Sequence, residues 1–175
     1  MIQRDDGSGY YDRFRGRVIY PLRDERGRPV GFAGRVLGDG QPKYLNSPQT
    51  PLFDKSSILF GVDRARAGIR TADEAVIVEG YMDVLMAHQH GIDNVVAQMG
   101  TALTEAQLGL LKKHTRRFVL ALDSDTAGDR ATLRGLDVAR QAMDREVVPV
   151  PTARGLIRFE ERLAAEIRIA TLPKG

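Results

Sequence analysis

The sequence predicts an α/β protein, with a parallel sheet and flanking helices preceded by a small antiparallel β-rich piece. Three observations carry this. From residue 75 onward, short apolar β-rich runs alternate with helical segments, the pattern of parallel strands joined by right-handed crossovers. Between residues 17 and 36, two alternating runs flank a turn-forming stretch, as in a hairpin. Apolar residues make up 42% of the 175-residue chain, enough for a real core.

The elements follow in order. Met1 to Gly9 is polar and glycine-containing and reads as a frayed end. Arg17–Leu22 and Val30–Val36 alternate around Asp24-Glu25-Arg26-Gly27-Arg28, a turn sequence. Tyr44 to Pro51 holds two prolines and reads as an irregular, ordered loop. Asp63–Ile69 is a short helix leading to a boundary near Gly68–Asp73. Ala75–Glu79 is a buried strand, and Met82–His90 a helix with Gly91 beyond its end. Asn94–Ala97 is a short strand. Thr104-Glu105-Ala106-Gln107 is a capping box that opens the next helix. Phe118–Leu122 is a buried strand, Asp129–Met143 a long helix, and Glu146–Val150 a strand. Leu156–Ala164 is expected to be helical and Glu166–Thr171 to be a last strand.

Composition narrows the classes. The chain has no cysteine, which excludes disulfides and thiolate metal sites. No apolar run reaches membrane-spanning length and no signal-peptide core opens the chain, so no membrane association is expected and a cytoplasmic location is the default. Residues 1–70 carry 13 Lys and Arg against 8 Asp and Glu, whereas residues 71–175 carry 13 against 15. A basic first part fits a polyanionic partner as well as it fits a solvated face.

The chemistry-bearing residues are acids at strand ends. Val76-Ile77-Val78 runs into Glu79, followed by Gly80 and a helix. Phe118–Leu122 runs into Asp123-Ser124-Asp125, with Gly128 before the next helix. In open α/β sheets, ligands bind at the carboxyl ends of strands. Asp123 and Asp125, two apart in extended backbone, face the same way. With Glu79 on a neighbouring strand they would form a site for Mg²⁺ or Mn²⁺, hard ions that take oxygen ligands. Each acid alone is more often a cap or turn residue; the ordered pair of motifs is rarer. Asp83 fits a carboxylate that supports the metal site from behind its direct ligands, or one favoured by the helix dipole, equally well. Asp129 reads as a helix N-terminal residue. The histidines add no metal case: His88 and His90 do not share a helix face, and His114 ends the following helix.

These motifs resemble the Toprim module, so the expected sheet is Toprim-like: Glu79 matches its glutamate, and Asp123 and Asp125 its Asp-x-Asp. Glu79-Gly80-Tyr81-Met82-Asp83 and Met99-Gly100-Thr101-Ala102-Leu103-Thr104 resemble the version found in bacterial DnaG-type primases. So do Tyr11–Val18, Gly31–Val36 and Pro42-Lys43-Tyr44-Leu45-Asn46-Ser47-Pro48 upstream. The resemblance runs from about Tyr10 to Val148. It implies DNA-directed RNA primer synthesis on single-stranded DNA from ribonucleoside triphosphates, giving an RNA–DNA hybrid. Residues 1–70 would be the C-terminal part of a basic template- and nucleotide-binding subdomain, and residues 71–175 a Toprim domain. The resemblance makes Glu79, Asp123 and Asp125 catalytic metal ligands. It puts Arg35, Lys43 and Tyr44 in a basic strip facing the metal, with Lys55 a weaker phosphate contact.

The resemblance also implies what lies outside these residues. The family has a further Asp-Pro-Asp after a segment like Leu172-Pro173-Lys174-Gly175. It also has an upstream zinc-binding module and a tail that binds the replicative helicase. The chain is therefore expected to be a piece of a longer primase, weak or inactive alone. Pro151–Glu161 is longer than the family's usual link, and a helix there would line up Arg154, Arg158 and Arg162. The same acids could instead serve Toprim nuclease or topoisomerase chemistry, with Tyr81 packing beside the site and not attacking. A fragment that binds nucleic acid or nucleotide without catalysis is the other alternative.

Overall fold

The structure, a computed structural model, describes residues 2–99, 102–123, 126–151 and 157–170, without the side chains of 126–133. The chain opens on a small ladder, β1 (Ile2–Gln3) against β2 (Tyr10–Tyr11), where a frayed end was expected. Arg4 N–H donates to Gly9 O at 2.9 Å and closes that turn. Next comes an antiparallel sheet of β3 (Arg17–Arg23), β4 (Pro29–Val36) and β5 (Tyr44–Asn46). The hairpin turn is held by Asp24, whose Oδ1 accepts from the N–H groups of Arg26 and Arg28 at 2.9 Å. β5 corrects the loop expected from Tyr44 onward: three residues pair with Ala33–Arg35 before Pro48 ends the strand.

The second part alternates as expected. It runs α1 (Val62–Ala72), β6 (Ala75–Val78), α2 (Tyr81–Gln89), β7 (Val95–Ala97), α3 (Glu105–Lys112), β8 (Arg117–Leu120) and α4 (Thr126–Ala142). The capping box is present: Thr104 Oγ1 accepts from Gln107 N–H at 3.2 Å, and Gln107 Oε1 accepts from Thr104 N–H at 3.1 Å. After α4 come β9 (Arg145–Pro151), β10 (Ile157–Leu163) and β11 (Glu166–Ile169). β10 overturns the helix expected over Leu156–Ala164. It pairs antiparallel with β9 from Ile157↔Pro151 to Leu163↔Arg145. Leu, Arg and Glu favour helix locally, but pairing against Val147, Val148 and Val150 overrides that preference. Arg158 and Arg162 therefore form no helical basic stripe; both pair with Glu160 between them. Arg154 lies outside the described residues, as does Leu172–Gly175.

Strands β11, β8, β6 and β7 form one parallel sheet in that order. From β6 the chain goes to β7 on one side, then crosses back to β8 on the other. This reversal leaves a crevice at the carboxyl ends of β6 and β8. One face of the sheet buries Ala75, Ile77, Val96, Phe118 and Leu120 against α1, α3 and α4. The other packs Val76 and Val78, with α2, against Tyr20, Leu22 and Ala33 of the antiparallel sheet. The two parts thus share a core. Phe60 reinforces the join by exchanging hydrogen bonds with Ala97 at 2.9 and 3.1 Å on the β7 edge.

α1 approaches the turn before β7 closely at Gly68, where an added Cβ would lie 2.8 Å from the Asp93 carbonyl carbon and nearer still to its carboxylate. Gly68→Ala should gain about 1 kcal/mol of helix propensity. It should lose more by overpacking, about 1–3 kcal/mol. Urea unfolding is expected to show a net loss of stability; an equal or more stable variant would contradict this packing.

Candidate functional site

β6 delivers Glu79 to the crevice, and Gly80 turns the chain into α2. Gly80 N–H donates to Asp83 Oδ2 at 3.0 Å, and a Cβ at residue 80 would come within 2.7 Å of that oxygen. Asp83 therefore caps the helix start, which engages one of its carboxylate oxygens. On the neighbouring strand, Ala121 N–H donates to Ile77 O at 2.9 Å, so pairing continues past β8. Leu122 turns into the core and Asp123 emerges exposed. Asp123 N–H donates to Glu79 Oε1 at 3.4 Å, joining the two acidic turns directly. Asp125 lies outside the described residues, as does the side chain of Asp129. Among the described residues no three metal-ligating groups gather. The donors in hand are hard carboxylate oxygens with no thiolate or imidazole beside them, which fits Mg²⁺ or Mn²⁺.

The antiparallel sheet supplies the opposite character. Arg35 on β4 pairs across to Tyr44 on β5, with its guanidinium carbon 5.9 Å from the ring centre. Tyr44 in turn lies 5.7 Å from the ring of Tyr81, the first residue of α2. A cleft of about 160 Å³ is lined by Tyr44, Asn46, Glu79, Gly80, Tyr81 and Met99. A wider groove of about 830 Å³ contains Arg35 and Lys43, with Met82 and Leu85 of α2 on its other wall. Lys55 stands apart: it lies in a 3₁₀ turn (Lys55–Ser57) packed on α3 and lines neither space.

Several described cations beside the acids have no ion pair, whereas many farther along the chain do. Lys112, Lys113, Arg116, Arg117, Arg145, Arg158, Arg162 and Arg168 all pair with carboxylates. Among the described residues, Arg13, Arg15, Arg17, Arg35 and Lys43 have no carboxylate within ion-pair distance. The sheet beside the acids thus carries positive charge that no described ion pair neutralises.

Tyr81 is buried at 6% exposure, stacks on Tyr20 at 5.4 Å and meets Phe60 edge-on at 4.8 Å. Its hydroxyl donates to Asn46 Oδ1 at 3.0 Å, and burial pushes its pKa up to about 12. It is held as a neutral packing residue, in line with the sequence reading. Asn46 is a tie that reading did not single out. Its backbone carbonyl also accepts from the Arg13 guanidinium at 3.1 and 3.3 Å. Its position within Pro42–Pro48 was the only available signal. The histidines are engaged away from the acids: His88 Nε2 bonds Val95 O, His90 Nδ1 bonds Met86 O, and His114 Nδ1 accepts from Arg70. Burial and the Arg70 charge hold the His114 pKa below its usual value.

An open parallel sheet with acids on its carboxyl edge, joined to an antiparallel sheet, has the form of a Toprim-type module beside a second domain. Comparisons with known proteins agree. A family described as DNA primase catalytic core, N-terminal domain, matches residues 1–66, and a Toprim-like family matches residues 76–155. The DNA primase of Clostridium acetobutylicum is 50% identical over 157 residues, covering 89% of this chain and 26% of that protein. That of Deinococcus radiodurans is 51% identical over 138 residues, covering 78% and 24%. Among solved structures, the Escherichia coli primase catalytic core superposes with a TM-score of 0.80 at 38% identity, covering 99% of this chain and 50% of that one. The zinc-binding and RNA polymerase domains of Aquifex aeolicus primase give 0.79 at 36%, covering 96% and 37%. The chain belongs to the bacterial DnaG-type primase family. It spans about a quarter of the length of the curated relatives it matches. Toprim modules as a group bind divalent metal ions. No described helix is long and apolar enough to cross a membrane.

Alkaline titration followed at 295 nm should show one tyrosine ionising near pH 12, and Tyr81→Phe should remove that step. Because the folded pKa is raised, the stability contributed by neutral Tyr81 is complete below about pH 10 and is lost as pH rises toward 12. Five tyrosines titrating together near pH 10 would contradict the burial of Tyr81.

Proposed function

We propose that this chain forms part of the RNA polymerase core of a DnaG-type primase and takes part in RNA primer synthesis on single-stranded DNA. The observation that supports this best is the Asp123 N–H to Glu79 contact, which joins two acidic turns beside an unneutralised cationic sheet. In the reaction, the 3′-hydroxyl of a template-bound ribonucleotide attacks the α-phosphate of the incoming ribonucleoside triphosphate. A phosphodiester bond forms and pyrophosphate leaves. Glu79, Asp123 and Asp125 would hold Mg²⁺ or Mn²⁺, which when bound polarises the hydroxyl and neutralises phosphoryl charge. Arg35 offers phosphate oxygens a planar fork, Lys43 a point charge and Tyr44 a stacking face. Asp83 keeps Gly80 and Glu79 in register with α2. Lys55 would add only a peripheral phosphate contact.

In this reading residues 1–70 grip template and nucleotide and residues 71–175 carry the metal-binding domain. The partners are single-stranded DNA, ribonucleoside triphosphates and the RNA–DNA hybrid. A replicative helicase and a zinc module would act through other regions of the enzyme, in the cytoplasm.

The direct test replaces the corresponding segment of the Clostridium acetobutylicum primase with residues 1–175 and supplies template, ribonucleotides and Mg²⁺. New RNA is expected, abolished by Glu79→Gln or Asp123→Asn. Shortened DNA without RNA would favour nuclease chemistry and overturn the proposal. Separately, Arg35→Ala and Lys43→Ala should each flatten the salt dependence of single-stranded DNA binding by about 0.7 in log–log slope. Unchanged slopes would remove them from the phosphate track.

A further inference from the structure

Four described polar residues are buried, and three have partners. Asn94 donates to Glu74 O, Thr115 bonds Asp73 and Arg117 N–H, and Gln107 bonds Lys55 O, Ile58 O and Thr104 N–H. Gln98 is the exception. It is 5% exposed, and its buried Oε1 has no hydrogen-bond partner. Such an orphaned amide oxygen destabilises the fold.

Its place in the sheet gives it a use. Gln98 N–H donates to Val78 O at 3.1 Å, extending the β6–β7 ladder one residue beyond the Val78↔Ala97 pair. This sets Gln98 alongside Glu79 at the carboxyl edge, one strand spacing away. On β6, Ala75 and Ile77 face the helical core, and on β7 Val96 does. Alternation puts Glu79 and Gln98 on that same side. Gln98 after β7 and Glu79 after β6 thus stand side by side, and the turn after β8 reaches Glu79 through the Asp123 N–H at 3.4 Å.

We propose that Gln98 is a positioning residue of the cation site, its Oε1 accepting a hydrogen bond from a water bound to the divalent ion. A neutral amide oxygen suits this role, because it accepts without adding a further negative charge to the acids of the site. The inference rests on the metal reading of Glu79 and Asp123. The cost of the orphaned oxygen in the metal-free chain is offset when the hydrated ion binds.

The test is Mn²⁺ titration of residues 1–175, following free Mn²⁺ by electron paramagnetic resonance, together with thermal melts without metal. Gln98→Met, of similar volume, should weaken Mn²⁺ binding about tenfold. It should also melt no lower than wild type without metal. Gln98→Glu should melt lower without metal and gain more from Mn²⁺ than wild type does. Wild-type Mn²⁺ affinity in Gln98→Met, with binding lost in Glu79→Gln, would overturn the Gln98 assignment and leave the metal reading intact. Unchanged binding in Glu79→Gln would overturn both. A metal-free melt well below wild type for Gln98→Met would show that the amide already has a partner, which also overturns the assignment.

Discussion

β6 lies between β7 and β8, parallel to both, with Val76 opposite Val95 on one side and Val119 on the other. That register brings the ends of three strands level and sets Glu79 beside the turn that carries Asp123. A one-residue slip of β8 would send Phe118 and Leu120 to the wrong face, so burial of these side chains enforces the alignment. The geometry of the acidic turns thus follows from core packing. The short loops follow from this: Gly80 admits the chain into α2, and Asp83 caps it.

The second constraint is the shared core between the two sheets. Tyr20, Phe60 and Tyr81 form one aromatic cluster drawn from the antiparallel sheet, the connecting segment and α2. Because Tyr81 is two residues from Glu79, anything that fixes this cluster fixes the acidic turn relative to Arg35 and Tyr44. Asn46 adds a directional tie from the strand bearing Tyr44. Described cations on β3, β4 and the segment before them carry no ion pair, whereas most of those from the end of α3 onward do. Surface ion pairs add little stability, so the contrast bears more on what the sheet can attract than on what holds it together.

Much of this was legible in the sequence because several signals agreed. Val76–Val78 and Phe118–Leu122 are β-branched or apolar, bounded by acid and glycine, and followed by helical spacing. Thr104–Gln107 carried its own start signal, and the capping box is present. The misses have physical causes. β10 reads Ile-Arg-Phe-Glu-Glu-Arg-Leu, whose Leu, Arg and Glu favour helix while its strand state depends on β9, a partner invisible to local pattern. β5 is too short to show alternation. Gln98 sits in a run ending in glycine, and nothing in sequence marks an amide as buried and unpartnered.

The central claim is that Glu79 and Asp123 serve one cation together. A double-mutant cycle on Mn²⁺ affinity with Glu79→Gln, Asp123→Asn and the pair tests it most directly. Shared coordination predicts that each single change removes most of the binding and that the double change costs far less than the two losses combined. Fully additive losses, or an Asp123→Asn protein that binds Mn²⁺ as wild type does, would contradict it.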